Sequence, residues 1–594
     1  MIARLRAAAP AVLVAILAAA PFAGTLDFPF LHDDRWAVLS NPNVTGGFDL
    51  GRVLTTDSWG GQPGYTHMHY RPLSSLTIAV TAAAAGLDPA PFRATNVLLH
   101  VAASLLVLAL ARRLGVGLLA ATAAAGWFAL HPVHAETVQF VVNREELLAT
   151  SFCLGAAILL VRDAPWTPAR LAGLAALALL GLASKETAVC LPLLAAGLAL
   201  AFRPGTRPGS PPGAPHWWLR WMPALVLLAA VVAFVGLRYA VLGRVLSDFI
   251  PWQDNPLVRA DAAGRATGAL AVLGHAAGLL AAPLRQTVDY GWDVLGLPAD
   301  GLPPAAIAGI GVAIAAIAAF AASLRRAPAV ATGILLAAVA YAPFSNVAFL
   351  NSILLSERNL YLAAAGVAVA AGAALDLALR VGPKPAGLLA DGRRRGPLAR
   401  PIWRAARRPI ALLSAGARVK SPSATATSAG PLGHPLAPDC VGPAIRVGLA
   451  APVATAITIA WVAAFGALVA DRASDFRSAE ALFASSLASR PGSTRLHDNL
   501  GVALQDAGRL DEAEREFRRA LAIDGENVEA HNNLGTVLQG RGDLAGATAE
   551  YVEALRLRPG MRPAAGNLCV ALSRAGDPRA AEWCREARRI GAVE

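Results

Sequence analysis

Long apolar runs, broken at intervals by short charged stretches, fill most of the chain ahead of its last 120 or so residues. Candidate spans lie at 8–26, 94–111, 117–131, 146–161, 169–184, 187–202, 221–242, 302–324, 329–348, 358–380 and 447–470. A helix needs about 20 apolar residues to cross the hydrocarbon core of a bilayer. Only helices and closed barrels satisfy their backbone groups there. The runs are rich in Ala, Gly and Leu, and small residues let membrane helices pack closely. The pattern predicts an all-α protein whose larger part is a polytopic helical membrane domain of about 11–12 spans. The run at 268–283 decides between the two counts. A single crossing there breaks the alternation of loops, whereas a re-entrant or interfacial helix preserves it.

Composition agrees with that pattern. The residues AVILMFWYC make up 55% of the chain, charged residues only 15%, and the mean hydropathy is +0.49. These values exclude a disordered chain and an ordinary soluble enzyme. The net charge of +12 is unevenly spread. Residues 381–446 hold eleven Lys or Arg against two Asp, a local charge of +9. That segment is also rich in Pro, Gly, Ser and Ala, and reads as a disordered cytoplasmic loop. Its charge sets topology and contacts anionic membrane lipids; no nucleic-acid partner is expected. The positive-inside rule assigns the N-terminus, Arg112 and Arg113, Arg162 and Arg170, Arg203 and Arg207, and Arg325 and Arg326 to the cytoplasm. Stretches 27–91, 132–145 and 346–357 then face outward, as does everything after 470. The Ala- and Arg-rich composition suggests a bacterial inner membrane.

The C-terminal region repeats with a period of 34 residues. Gly501 and Gly535 obey it, as do Gly508, Gly542 and Gly576, and Ala513, Ala547 and Ala581. So do Phe517 and Tyr551, and Ala520 and Ala554. This pattern resembles the tetratricopeptide (TPR) helix–turn–helix unit, in which small residues sit where two helices cross and aromatics fill the space beside them. One period earlier stand Ala479 and Phe483, the second helix of a partial repeat, so the last span should run almost directly into the array. The expected order is a membrane domain at 1–380, the basic loop at 381–446, a last membrane helix at 447–470, and a TPR α-solenoid at 471–594 of about three repeats plus a partial one. Cys569 and Cys584 fall on facing helices, where a disulfide can form outside the cytoplasm. Cys153 and Cys190 lie within spans and read as packing residues.

Polar residues persist in a bilayer protein where they function or are satisfied, and here they cluster at the outward loops. His32, His67, His69, His131 and His134 all lie in the first two. The first opens with Phe30-Leu31-His32-Asp33-Asp34-Arg35. Adjacent acids just beyond a membrane helix suit general-base work on an acceptor hydroxyl. Neighbouring side chains in an irregular loop diverge, so one of Asp33 and Asp34 serves as base, and the other orients a metal or the acceptor. The plainer reading is a capping acid plus a surface ion pair with Arg35. Tyr70-Arg71-Pro72-Leu73 opens an amphipathic stretch suited to the membrane surface.

The second loop carries His131-Pro132-Val133-His134-Ala135-Glu136, then Asn143-Arg144-Glu145-Glu146. His131, His134 and Glu136 are weak candidates for a divalent metal, the requirement for which stays open, and Pro132 argues against a regular helix between the histidines. Polar groups lining a substrate cleft are the favoured reading. Arg144 suits a phosphate or an interfacial anchor. Lys185 in Ser184-Lys185-Glu186 either pairs with Glu186 or faces a phosphate-bearing ligand. Ser356-Glu357-Arg358-Asn359-Leu360-Tyr361 poses the same choice, and Asp289-Tyr290-Gly291 is a weaker candidate.

Taken in order, Phe-Leu-His-Asp-Asp, Tyr-Arg-Pro-Leu, Asn96-Val97-Leu98-Leu99-His100, Leu130-His131-Pro132-Val133-His134-Ala135-Glu136, Asn143-Arg144-Glu145-Glu146-Leu147-Leu148, Ser184-Lys185-Glu186 and Ser356-Glu357-Arg358-Asn359-Leu360-Tyr361-Leu362, followed by TPRs, resemble the transmembrane and tetratricopeptide-repeat O-mannosyltransferase family. The resemblance implies a C-type (GT-C) glycosyltransferase fold. It also implies a multi-pass enzyme taking a sugar from a polyprenyl-phosphate carrier at the non-cytoplasmic face, with Asp33 or Asp34 as base. The expected site then has Arg144, Lys185 and Arg358 on the donor phosphate, and His32, Arg71, His131, His134, Glu136, Glu186, Glu357 and Tyr361 lining the cleft. The lipid-linked sugar is the donor, no cofactor is required, and the TPRs hold a protein acceptor or partner. Two rival classes remain at this stage: a membrane-anchored TPR scaffold that recruits periplasmic partners, and a lipid or polysaccharide transporter.

Overall fold

The first apolar run becomes α1 (Ile2–Ala19), which tightens into a 3-10 segment at Ala20–Thr25 beside Pro21. In the computed structural model, residues 2–61, 69–162, 164–202, 217–245, 250, 255–291, 302–348, 350–351, 353–381 and 450–592 are described. His67 and nearly all of the basic 381–446 loop lie outside them. Residues 1–380 together with 458–594 form one compact unit, and residues 381–457 form a second.

The first outward loop holds two short helices, α2 (Pro42–Thr45) and α3 (Leu50–Thr55), capped by the Asn41 and Asp49 side chains. Then come α4 (Pro72–Ala85), α5 (Pro89–Arg113) and α6 (Leu118–Ala129). A 3-10 turn at Pro132–His134 leads into α7 (Ala135–Gln139), followed by α8 (Arg144–Leu160), α9 (Pro168–Ser184) and α10 (Leu191–Ala201). The membrane part continues through α11 (Met222–Leu242), α12 (Ala262–Ala281), α13 (Pro304–Arg326), α14 (Pro328–Tyr341) and α15 (Tyr361–Val381). Several of these start at a proline in the first turn, where a missing N–H costs nothing. Asp88 and Thr167 cap α5 and α9 by accepting from the backbone. Among the described residues the one strand-like feature is an isolated bridge between Tyr290 and Leu355.

The fold is all-α, as the apolar pattern predicts. A helix stands at every expected run, and the ambiguous 268–283 stretch lies largely inside α12. Among the described residues, five helical stretches have the length and apolarity to cross a membrane: Ala8–Thr25, Pro89–Arg113, Leu219–Leu242, Pro304–Arg326 and Glu357–Arg380. Small residues set the closest approaches. A Cβ on Gly333 of α14 would meet the backbone of Ala370 at 2.5 Å, and one on Gly372 of α15 would meet Ala124 of α6 at 2.6 Å. At the end remote from the polar loops, Arg380 pairs with Asp376 at 2.6 Å and donates to the Gly115 carbonyl at 3.2 Å. This places the end of α15 beside the α5–α6 turn.

The repeat region begins where α16 (Ala450–Ser474) passes through a 3-10 turn at Asp475–Arg477 into α17 (Ala479–Ser489). Three helix pairs follow: α18 (Thr494–Asp506) with α19 (Leu510–Ile523), α20 (Val528–Gly540) with α21 (Leu544–Leu557), and α22 (Arg562–Ala575) with α23 (Ala580–Arg589). The period has a steric cause. A Cβ on Gly501 would stand 2.5 Å from the Phe517 ring, and one on Gly535 would stand 2.7 Å from Tyr551. Gly508, Gly542 and Gly576 take φ of 74°, 86° and 67° between paired helices, a region that favours glycine. A disulfide joins Cys569 of α22 to Cys584 of α23 across a Cα–Cα distance of 4.8 Å. Where the array meets the membrane part, Leu31 and Phe140 pack with Phe476, Phe483 and Leu496 in one buried apolar cluster.

Candidate active site

The first outward loop is held open by Arg93 of α5, whose guanidinium donates to the carbonyls of Phe28 and Pro29. A tight turn follows, with Asp34 N donating to Leu31 O at 2.9 Å and Arg35 N to His32 O at 3.0 Å. It forces His32 to a φ of +45°, an uncommon conformation for a residue with a Cβ. The turn sends the two acids in different directions. Asp33 keeps 38% of its side chain exposed and accepts from His32 Nδ1 at 2.9 Å. Asp34 is fully buried, with Oδ1 accepting from Val142 N at 2.9 Å and Oδ2 without a hydrogen-bond partner. Arg35 pairs with neither acid but with Asp506 of α18 at 2.7 Å.

Their electrostatics diverge too. Desolvation would raise the Asp33 carboxyl, but His32 beside it, with Arg358 and Arg495 further off, holds it well below the usual carboxylate range. Burial pushes Asp34 up to about 6, against the Val141 and Val142 backbone donors and the charge of Arg93. Desolvation alone would lower His32; Asp33 outweighs it and raises the imidazole above 6.5, opposed by Arg495 and Arg358.

Arg358 sits in a 3-10 turn at Glu357–Leu360 and is 20% exposed. It donates to Asn143 Oδ1 at 3.1 Å and lies 3.8 Å from Glu136 Oε1. Burial raises Glu136, against the charges of Arg358, Arg472 and Lys185. The next residue, Asn359, accepts from Lys185 Nζ at 3.3 Å. Lys185 also meets Glu146 at 2.9 Å and Glu145 at 3.5 Å. Arg71 bridges Glu145 at 2.6 Å and Glu186 at 2.8 Å, and Arg238 of α11 reaches Glu186 at 2.7 Å. Such alternation of charges is what a water-poor site requires.

The structure pairs Asp33 with His32 and Arg358 with Glu136, and joins Arg71 to Glu186 in a network that reaches Lys185 through Glu145. Lys185 pairs with Glu145 and Glu146, whereas Glu186 pairs with Arg71 and Arg238. Other expected residues stand elsewhere. Arg144 is fully buried and spends its donors on Asn96 Oδ1, Thr77 O, Thr81 Oγ1 and Phe92 O at 2.9–3.0 Å, so it staples α8 to α4 and α5 and presents nothing to a phosphate. Glu357 turns inward, accepting from Tyr290 Oη at 2.6 Å and Gln286 Nε2 at 2.9 Å. Tyr361 is fully buried and hydrogen-bonds His100 at 2.6 Å. His134 is enclosed by Phe128 and Tyr361, each with ring centroids 4.5 Å away. His131 donates to or accepts from no acid; its Nε2 reaches the Leu280 carbonyl at 3.0 Å. His131, His134, Glu357 and Tyr361 are thus removed from the expected cleft by complete burial. No three His, Cys, Asp or Glu side chains among the described residues are placed to hold a metal ion, so His131, His134 and Glu136 do not form one here.

Asn143, Asn359, Arg238 and Arg495 are the additions that sequence reasoning did not select. Arg238 had a signal, as the single charge inside the apolar α11. Asn143 and Asn359 stand beside selected residues in quoted motifs.

Fold and site define a multi-pass membrane protein with a network of paired charges and a helical-repeat array beside it. The tetratricopeptide repeat family matches residues 466–528 and 499–562. The chain also has named relatives. The chain is 35% identical over 189 residues to the Drosophila melanogaster protein O-mannosyl-transferase Tmtc1, covering 31% of this chain and 22% of that one. It is 37% identical over 150 residues to human protein O-mannosyl-transferase TMTC1, covering 24% and 17%. With human protein O-mannosyl-transferase TMTC4 it is 34% identical over 149 residues, covering 22% and 20%. The matched stretches span about a fifth of these curated relatives' own length. The resemblance to the transmembrane and TPR O-mannosyltransferases thus rests on aligned sequence as well as on ordered motifs.

Proposed function

We propose that the chain is a membrane glycosyltransferase. It moves a sugar, mannose by the names of its relatives, from a polyprenyl-phosphate carrier to a hydroxyl of a protein or other acceptor. The reaction takes place on the non-cytoplasmic face of an inner membrane. One observation carries the reading: a partly open carboxylate, Asp33, lies within the electrostatic reach of a partly open guanidinium, Arg358, which helps to hold it ionised.

The chemistry needs those two groups. As the bond between the anomeric carbon and the phosphate oxygen breaks, its electron pair leaves with the polyprenyl phosphate. Arg358, with Lys185 behind it, offsets the growing negative charge. The acceptor oxygen bonds to the anomeric carbon from the opposite side and gives its proton to Asp33. A single displacement of this kind inverts the anomeric centre. Glu136 and Asn143 hold Arg358 in place until the donor arrives. The Cys569–Cys584 disulfide supports the non-cytoplasmic assignment, because such bonds persist in oxidising compartments.

The test is to offer purified chain a panel of polyprenyl-phosphate sugars and to measure release of polyprenyl phosphate. One donor is consumed, and Arg358→Gln lowers that rate by about 10²–10³-fold. Folded protein that consumes none of them rejects the reading and leaves the anchored repeat scaffold.

A further inference from the structure

The seam between the repeat array and the membrane part is polar where it passes the candidate cleft. At the start of α18, Ser493 Oγ accepts from Leu496 N at 3.2 Å, capping the helix, and donates to Asp289 Oδ2 at 2.6 Å. Asp289 lies in the loop after α12 and is 7% exposed. Its other oxygen faces Arg495 Nη1 at 3.5 Å. One residue back, Val288 N donates to Ser486 Oγ of α17 at 3.4 Å. The first outward loop meets the same two helices. The His32 ring stands edge-on to Phe483 at 5.7 Å, and Arg35 reaches Asp506. Arg495 therefore lies between the two loops, anchored at one edge by a buried carboxylate, with 37% of its side chain exposed.

We propose that the repeat array completes the transfer site, with Arg495 as a positioning residue that faces Asp33 across the seam and orients its carboxylate toward the acceptor hydroxyl. This rests on the glycosyltransferase reading. A clamp would need only the apolar cluster of Leu31, Phe140, Phe476, Phe483 and Leu496. It would have no use for a buried acid that holds a cation at the edge of the cleft. Asp33 has charged neighbours on every side: His32 and Asp34 in its own loop, Glu136 of α7, Arg358 of the 3-10 turn and Arg495 of α18. Arg495 answers to Asp289, Asp33, Glu529 and Asp498. Leu31, two residues before Asp33, and Leu496, next to Arg495, pack in one buried cluster, so the two chain segments adjoin across the seam, and the charges of both Arg495 and Arg358 bear on Asp33.

The placement has a kinetic consequence. With His32 protonated, Asp33 is engaged and weakly basic. Once His32 loses its proton, Asp33 accepts the acceptor's proton more readily, so transfer rises with pH through the His32 titration. Both Arg495 and Arg358 oppose protonation of His32. Removing Arg495 therefore moves the rising limb to higher pH.

The experiment follows release of polyprenyl phosphate from polyprenyl-phosphate mannose by the full-length chain across the neutral pH range. Arg495→Ala shifts the limb upward by about half a unit or more and lowers kcat about tenfold at neutral pH, with KM for the donor unchanged. Arg495→Lys restores the limb. Arg35→Ala removes an exposed seam contact of small worth and leaves profile and rate as in the wild type. A limb that does not move in Arg495→Ala overturns the proposal, as does a loss equal at every pH, which marks a clamp. Wild-type chain that consumes no lipid-linked sugar overturns the glycosyltransferase reading itself, and Arg495 with it.

Discussion

Replacing Asp33 and Asp34 by asparagine, one at a time, separates a base from a buried acid. Asp33→Asn removes the proton acceptor and keeps the shape. General-base help is worth about 10²–10⁴-fold, or about 3–5 kcal/mol of barrier. Release of polyprenyl phosphate falls by that factor, with insertion unaffected. Asp34→Asn keeps an oxygen for the Val142 amide and does not touch the cleft, so transfer stays within about tenfold. Its effect is on stability. The buried carboxyl stands at about 6 against an ordinary 3.8, a difference of about 2 units, which is about 3 kcal/mol at 1.36 kcal/mol per unit. The folded state holds this proton more tightly than the unfolded state. Its contribution is therefore complete below the ordinary value and is lost as pH rises through about 6. Asparagine has no such dependence. Between about pH 3 and pH 7 the difference in unfolding free energy shifts by about 3 kcal/mol in favour of Asp34→Asn, whatever constant offset the amide adds. Unfolding in detergent at a series of pH values, beside the transfer assay, checks both halves. Transfer lost equally in the two variants, or stability curves that run parallel from acid to neutral, would refute the reasoning.

Arg144→Met leaves the buried Asn96 Oδ1 without its donor and breaks the ties to Thr77, Thr81 and Phe92, and costs about 1–3 kcal/mol, read as a lower Tm and a poorer membrane yield. Protein recovered from that variant keeps its KM for donor; a raised KM at wild-type stability returns Arg144 to the phosphate. Replacing Cys569 and Cys584 together by serine removes a link that closes 15 residues. It weakens the end of the array by about 3 kcal/mol, seen as faster proteolysis after α21. Both thiols found free in native membranes would place the array on the reducing side.

The helices were legible because lipid imposes a coarse rule: every run of apolar residues long enough to bury itself became a helix. The repeats were legible because Phe517 and Tyr551 each demand a glycine opposite. The candidate site was legible only in part. Asp33, Arg358 and Lys185 stand at turns outside the long helices, and each keeps polar company there: Asp33 with His32, Arg358 with Glu136, Lys185 with Glu146. Arg144 looks the same in sequence, yet it begins α8, where two oxygens from α4, on Thr77 and Thr81, and two from α5, on Phe92 and Asn96, surround it. His134 and Tyr361 were assigned to the cleft from the company they keep in their motifs, but Phe128 and His100 close around them. Asp289 and Arg495 are separated by 206 residues, and the period of the repeats gives position 495 no special mark. Their meeting depends on how two separately readable parts dock, which no local pattern encodes.

The passage of α16 into α17 across a single 3-10 turn has one more consequence. The first repeat borrows a wall from the lipid-embedded body, so the solenoid is rooted there, and each later helix pair inherits its direction from that root through the stack.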